Sequence, residues 1–178
     1  MAQARDGSEQ ASVELYERYC PRVMGFVLRT TGDRDLAEEV FCETFAAFFR
    51  TLNRYERRGS VCAYLLQIAR SKLADELNAR RRRRPGPWDN DEPAEEPPRP
   101  AMKPDESAQS AELAALAQNA LLHLPEHLRE VVVLRVYERV DYESIGRIVG
   151  AGEATVRSRM RYALESLRKM LATPVANE

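Results

Sequence analysis

Along residues 11–79 the apolar positions recur at three- and four-residue steps, the period of helices that bury one face. Over Ala11–Thr30 the recurring positions are Val13, Leu15, Tyr16, Tyr19, Val23, Val27 and Leu28. Pro21 lies inside this run and predicts a kink or break, because proline lacks the helical N–H and crowds the preceding turn. Thr31-Gly32 ends the run, since glycine tolerates the positive φ common past a helix C-terminus. Asp33 or Asp35 then caps a second helix over residues 34–52, with Ala37, Val40, Phe41, Thr44, Phe45 and Phe48 on its inner face. The polar stretch Asn53–Ser60 breaks at Gly59-Ser60. A third helix with Tyr64, Leu65, Ile68, Leu73 and Leu77 runs into Arg80–Arg84. No segment here alternates with period two, so no sheet is predicted.

Pro85–Ser110 holds Pro85 and six further prolines, many acids and little that could form a core, a composition that reads as a linker. Helix returns over residues 111–123, with Leu113, Leu116, Ala117, Ala120 and Leu121 on one side. Pro125 suits the first turn of the next helix, Glu126–Arg139. Its Val131–Leu134 run alone could be a strand, but the flanks are good helix formers without a turn signal. Asp141 caps a short helix, Tyr142–Val149; Gly150-Ala151-Gly152 turns the chain, and a last helix runs over residues 153–171. The fold class is therefore all-α: a unit over residues 11–84, a linker over 85–110 and a unit over 111–172, with no fixed spacing between the two units.

The net charge of −1 does not by itself point to a polyanion, but its distribution does. Arg80–Arg84 are consecutive, and Glu153–Lys169 carries five bases against two acids, so each helical unit ends in a basic stretch. Asp89–Glu106, with seven acids against two bases, separates them. No run approaches the ~18 apolar residues of a membrane span. Met1–Gln10 is polar, unlike a signal peptide, and the expected location is the cytoplasm. Cys20, Cys42 and Cys62 are far apart without a C-x-x-C pair, and Pro125 separates His123 from His127, so no metal site or cofactor is expected. No phosphate loop or nucleophile–base arrangement is visible, and no enzymatic activity is expected. Two rivals that also carry a DNA-reading helix pair fail on the first half. A serine recombinase needs strands and a nucleophilic serine there, and a two-component output protein needs an α/β receiver with an acidic pocket.

The informative segment is Asp141–Arg168. A short helix carrying Ile145 and Ile148, a glycine turn and a longer helix with Val156, Met160, Ala163, Leu164 and Leu167 on one face form a helix-turn-helix pattern. The other side of the longer helix shows Thr155, Arg157, Ser158, Arg161 and Tyr162. Arginine bonds guanine with two parallel donors, and serine and threonine reach bases or phosphates, so this is the candidate reading face. In the first unit Tyr55 and Tyr64 lie among Arg54, Arg57, Arg58, Arg70 and Lys72, the mixture of stacking rings and cations that holds unpaired bases. Tyr64 fits equally a place in the core, and the arginine block a solvated helix end or phosphate contacts.

The stretch Leu124-Pro125-Glu126, Arg129–Arg135, Tyr142–Gly146, Gly150 and Glu153–Arg159 resembles region four of the extracytoplasmic-function sigma factors of bacterial RNA polymerase. Leu15–Tyr19 with Pro21–Val23, Gly32–Phe45, and Arg58–Ser60 with Ala63–Leu77 are similar to region two. The resemblance implies a subunit for promoter recognition, strand opening and transcription initiation. It implies minus-thirty-five contacts from Thr155, Arg157, Ser158, Arg161 and Tyr162. It implies minus-ten contacts from Arg54, Tyr55, Arg57, Arg58, Ser60, Tyr64, Arg70, Ser71, Lys72, Arg80, Arg81 and Arg82. It implies that Asp35, Glu38, Glu39, Glu43 and Phe45 lie on a helix that grips the clamp coiled coil of the largest polymerase subunit. The implied partners are core RNA polymerase through that clamp and the flap, promoter DNA, and an anti-sigma factor. The chain departs from the common pattern at Cys42, Tyr64, Ser71, Gly152 and Arg161-Tyr162.

Overall fold

The computed structural model describes residues 9–52, 60–83 and 108–172. Among these the chain is helical without a strand: α1 Glu9–Thr31, α2 Arg34–Thr51, α3 Val61–Arg83, α4 Ala108–Leu122, α5 Glu126–Val132, a π-helical segment Val133–Tyr137, α6 Tyr142–Val149 and α7 Glu153–Ala172. The expected linker falls almost wholly outside the described residues; its last three positions, 108–110, already belong to α4.

The first unit packs α1, α2 and α3 about Phe26, Phe48, Leu65 and Leu66, all fully buried. Pro21 does not break α1. It stands on the exposed side of the helix, while Leu15 before it and Val23, Phe26 and Val27 after it are held in the core. The turn into α2 is built as expected. Gly32 takes φ 73° and donates to the Leu28 carbonyl, and the Asp33 carboxylate accepts the Leu36 N–H at 2.9 Å. Ser60 caps α3, its hydroxyl accepting the Ala63 N–H.

In the second unit α4 is anchored by its C-terminal half, where Ala120 and Leu121 are buried; Leu113 and Leu116, expected on an inner side, are exposed. The run Val131–Leu134 is helical and buried, but the helix widens after Val132. The Glu138 N–H reaches back five residues to the Val133 carbonyl, and Arg139 then adopts φ 54°. The wider turn directs Glu138 toward α1, where Arg22 donates to both its carboxylate and its carbonyl.

The two units do not stand apart. Their apolar side chains form one continuous core, in which Leu121, Val131, Leu134 and Ile145 join Val23, Phe26 and Leu66. The expectation of no fixed spacing between them is thus corrected: α6 packs on α3, and the π segment on α1.

Arg139 holds a left-handed conformation that costs a side-chain-bearing residue about 1 kcal/mol more than glycine. Arg139→Gly is expected to raise stability by up to about 1 kcal/mol in denaturant or thermal unfolding, less glycine's extra chain entropy.

Candidate nucleic-acid interface

The turn between α6 and α7 depends on two glycines. Gly150 ends α6 at φ 66°, the left-handed region, and donates to the Gly146 carbonyl. Gly146 has no room for a side chain, since a Cβ there would lie 2.6 Å from the Ala151 carbonyl oxygen. The chain thus reverses tightly, and α7 crosses α6 over a core of Ile145, Ile148, Val156, Met160 and Ala163. Asp141 starts the motif, its carboxylate accepting the Ser144 N–H at 2.8 Å. That bond holds the Asp141 carboxyl below its ordinary range, against a smaller opposing effect of burial.

Thr155, Arg157, Ser158, Arg161 and Tyr162 are all exposed on α7, on the side away from that core. Leu164, expected on the apolar face, is instead 40% exposed and lines a shallow groove with Tyr142, Arg157, Arg161 and Arg168. Arg157 is already oriented. Glu153 accepts from its Nε at 2.9 Å and its Nη2 at 2.5 Å, and its guanidinium carbon lies 4.3 Å from the Tyr142 ring centroid. Arg135 approaches the same ring at 4.7 Å and donates to the Val140 carbonyl. Sequence reasoning missed Tyr142 and Arg135. The available signal was an aromatic residue directly after the capping aspartate.

In the first unit the candidates separate. Arg54, Tyr55, Arg57 and Arg58 lie outside the described residues. Ser71, Arg81 and Arg82 are exposed on α3. Tyr64 is half-buried, its hydroxyl 3.2 Å from that of Thr51 and its ring beside Phe48, so part of it belongs to the core. Arg70 gives its Nε to Glu130 of α5 at 3.0 Å, and Lys72 lies 3.4 Å from Glu43. Arg80 meets Asp33, Glu39 and Glu76 at 3.0–3.2 Å and ties the end of α3 to the start of α2. These carboxylates raise the Arg80 pKa despite the opposing desolvation.

The acidic side of α2 is likewise partly engaged. Asp35 is exposed and Glu38 pairs with Arg34, while Glu39 and Glu43 are the partners of Arg80 and Lys72. Phe45, expected to meet a partner, is only 4% exposed. It packs among Tyr16, Phe41 and Phe49 with ring centroids 4.9–6.1 Å apart. The aromatic surface beside the acids is instead supplied by Tyr16 and Phe49, which are exposed. Among the described residues no cluster of His, Cys, Asp and Glu could hold a metal ion. Burial pushes the Cys62 thiol up to about 11, so it stays protonated at neutral pH.

A helix-turn-helix with a basic outward helix, packed on a second helical unit, defines a protein that reads duplex DNA. The family model for sigma-70 region 2 matches residues 15–83, and that for sigma-70 region 4 matches residues 120–169. The chain is 33% identical to the RNA polymerase sigma factor CarQ of Myxococcus xanthus, over 96% of this chain and 95% of that one. It is 31% identical to the RNA polymerase sigma-H factor of Pseudomonas aeruginosa, over 93% of this chain and 88% of that one. Its fold is similar to that of the sigma factor RpoE in complex with the anti-sigma factor NepR from Bartonella quintana. The TM-score is 0.69 at 18% identity, covering 90% of this chain and 96% of that one. It is also similar to CnrH in complex with the cytosolic domain of CnrY, with a TM-score of 0.70 at 20% identity, covering 97% of this chain and 95% of that one. The chain belongs to the sigma-70 family, as an extracytoplasmic-function sigma factor, and serves promoter recognition and transcription initiation.

Removing the cap with Asp141→Ala is expected to cost about 1 kcal/mol in chemical denaturation at neutral pH. Because the Asp141 pKa is depressed in the folded chain, its contribution is complete above the unfolded value of about 3.9. It is lost as pH falls through the lower folded value. Asp141→Asn, which retains an acceptor oxygen, should remove this residue's acid dependence with a smaller loss at neutral pH.

Proposed function

We propose that α7 reads the minus-thirty-five promoter element through Thr155, Arg157, Ser158, Arg161 and Tyr162, and that α3 with residues 54–60 receives the minus-ten element. The observation that carries this reading is the exposed basic face on the N-terminal half of α7, presented by a helix-turn-helix. Arg157 and Arg161 stand one turn apart and can address neighbouring base pairs in a major groove. Within region two, Ser60, Tyr64, Arg70, Ser71, Lys72, Arg81 and Arg82, with Arg54, Tyr55, Arg57 and Arg58, supply stacking surface and phosphate contacts. Arg80 contributes by holding α3 against α2 and adds charge at the same end.

Core RNA polymerase meets α2 through Asp35, Glu38, Glu39 and Glu43, with Tyr16 and Phe49 as the apolar part of that surface and Phe45 as its support. Region four docks the flap. An anti-sigma factor is a further partner; the similar fold solved in complex with the anti-sigma factor NepR supports this. The subunit catalyses no reaction of its own, because strand separation needs only a surface that favours unpaired bases over stacked ones. The site of action is the cytoplasm; among the described residues no helix is long and apolar enough to cross a membrane.

Permanganate footprinting on a promoter, with core polymerase alone, this chain alone and both together, tests the reading. Opening near the start site is expected only in the mixture. Opening by the chain alone, or none by the mixture on a promoter that it selects, contradicts it. In the same system Arg157→Ala or Arg161→Ala should each cost about 1–3 kcal/mol of discrimination at one or two upstream base pairs. Helix content should be unchanged, since neither side chain enters the core.

A further inference from the structure

The cysteines take no part in the function proposed above, and they differ in access. Cys62 is buried, Cys20 is half-buried against the core, and Cys42 is exposed. Cys20 and Cys42 stand on different helices but border the same side chain. α1 and α2 run antiparallel from the turn at Gly32-Asp33, and the Tyr16 ring of α1 lies 5.8 Å from the ring of Phe41 and 4.9 Å from that of Phe45 on α2. Cys20, one turn beyond Tyr16, is hydrogen-bonded to it, and Cys42, next to Phe41, acts on the same tyrosine electrostatically. Helical side chains lean toward the N-terminus of their own helix. On antiparallel neighbours the two thiols therefore lean toward one level of the groove between α1 and α2. Tyr16, which they border, is 40% exposed and belongs to the surface assigned to polymerase.

We propose that Cys20 and Cys42 form a dithiol oxidation site for hydroperoxides, and that their disulfide withdraws the chain from core polymerase. The effect on polymerase rests on the surface of α1 and α2 assigned under the proposed function. The accessible Cys42, as thiolate, attacks the peroxide O–O bond and becomes a sulfenic acid, while the other oxygen leaves as water or an alcohol. The Cys20 thiolate then attacks that sulfur, closing the S–S bond, and the displaced hydroxide takes up a proton and leaves as water. In balance, two thiols give two protons and two electrons to one hydroperoxide, and no other reactant is consumed. In the cytoplasm proposed above such a bond is transient and regulatory rather than structural. A disulfide holds Cα atoms about 4.4–6.8 Å apart, whereas the axes of packed helices stand about 8–10 Å apart. Closing the bond thus draws α1 toward α2 and displaces the Tyr16 ring at their groove.

The reduced full chain is treated with hydrogen peroxide, cleared of it with catalase and mapped by peptide mass spectrometry without reductant. Its affinity for core polymerase is then titrated by anisotropy. A Cys20–Cys42 disulfide is expected, with affinity lowered about ten-fold or more, as when a packed aromatic is lost from an interface. Dithiothreitol, which reduces disulfides but not methionine sulfoxides, should restore it. Cys20→Ser and, separately, Cys42→Ser should form no such bond and keep their affinity after peroxide. Absence of the Cys20–Cys42 bond in the parent, or a loss of affinity that persists in either serine chain, overturns the site. A chain carrying Glu38→Lys and Glu39→Lys is titrated alongside. If it binds core more weakly while the disulfide leaves affinity unchanged, the polymerase surface stands and the switch is wrong. If neither change alters affinity, the surface assignment itself has failed and takes the switch with it.

Discussion

Glu130 and Glu138 impose the arrangement of the whole chain. A carboxylate withdrawn from water is tolerated where a cation and hydrogen bonds replace its hydration. Here the cations stand on α1 and α3, so the second unit is constrained to lie where Arg22 and Arg70 can reach it. Burial raises the Glu130 pKa while Arg70 opposes it, a sign that desolvation is only partly compensated. The π segment and the left-handed Arg139 belong to the same constraint, since together they turn Glu138 toward α1. Apolar burial fills the interface between these pairs.

Backbone geometry sets the DNA-reading element in the same way. The angle between α6 and α7 follows from a carbonyl that approaches Gly146 too closely for any Cβ and from a left-handed Gly150. With the turn so tight, the buried side of α7 is used up by Val156, Met160 and Ala163, and Arg157 and Arg161 are left outward. Tyr142 and Glu153 hold the Arg157 guanidinium in place, so the base contact proposed for it would cost less ordering entropy.

Charge in the first unit serves two ends. Arg80 and Lys72 look alike in sequence to Arg81 and Arg82, yet the first two are paired with acids of α2 or α3 and the latter stand exposed. The acids they occupy, Glu39 and Glu43, belong to the surface assigned to polymerase, so the two proposed interfaces share ion pairs across α2 and α3. Phe45 makes a related point. Its position on an amphipathic helix is right, but Tyr16 and Phe49 cover it, and they form the surface.

Periodicity, caps and turn residues determined the all-α class, nearly every helix boundary, the helix-turn-helix and the outward face of α7. These depend on neighbours within a turn or two along the chain, where composition is decisive. Asp33, Gly32, Asp141 and Gly150 do in the structure what their residue types imply. Pro21 misled because a local penalty was outweighed by core contacts on both sides of it. The widened turn after Val132 had no residue signature. Tertiary structure alone decided which arginines are free, that Phe45 is covered and that the two units meet. Arg70 pairs with a residue 60 positions away and Arg22 with one 116 away. Such pairings depend on which faces are left after the helices pack, and a charged residue on an amphipathic surface looks the same in sequence whether water, DNA or a buried carboxylate is its partner.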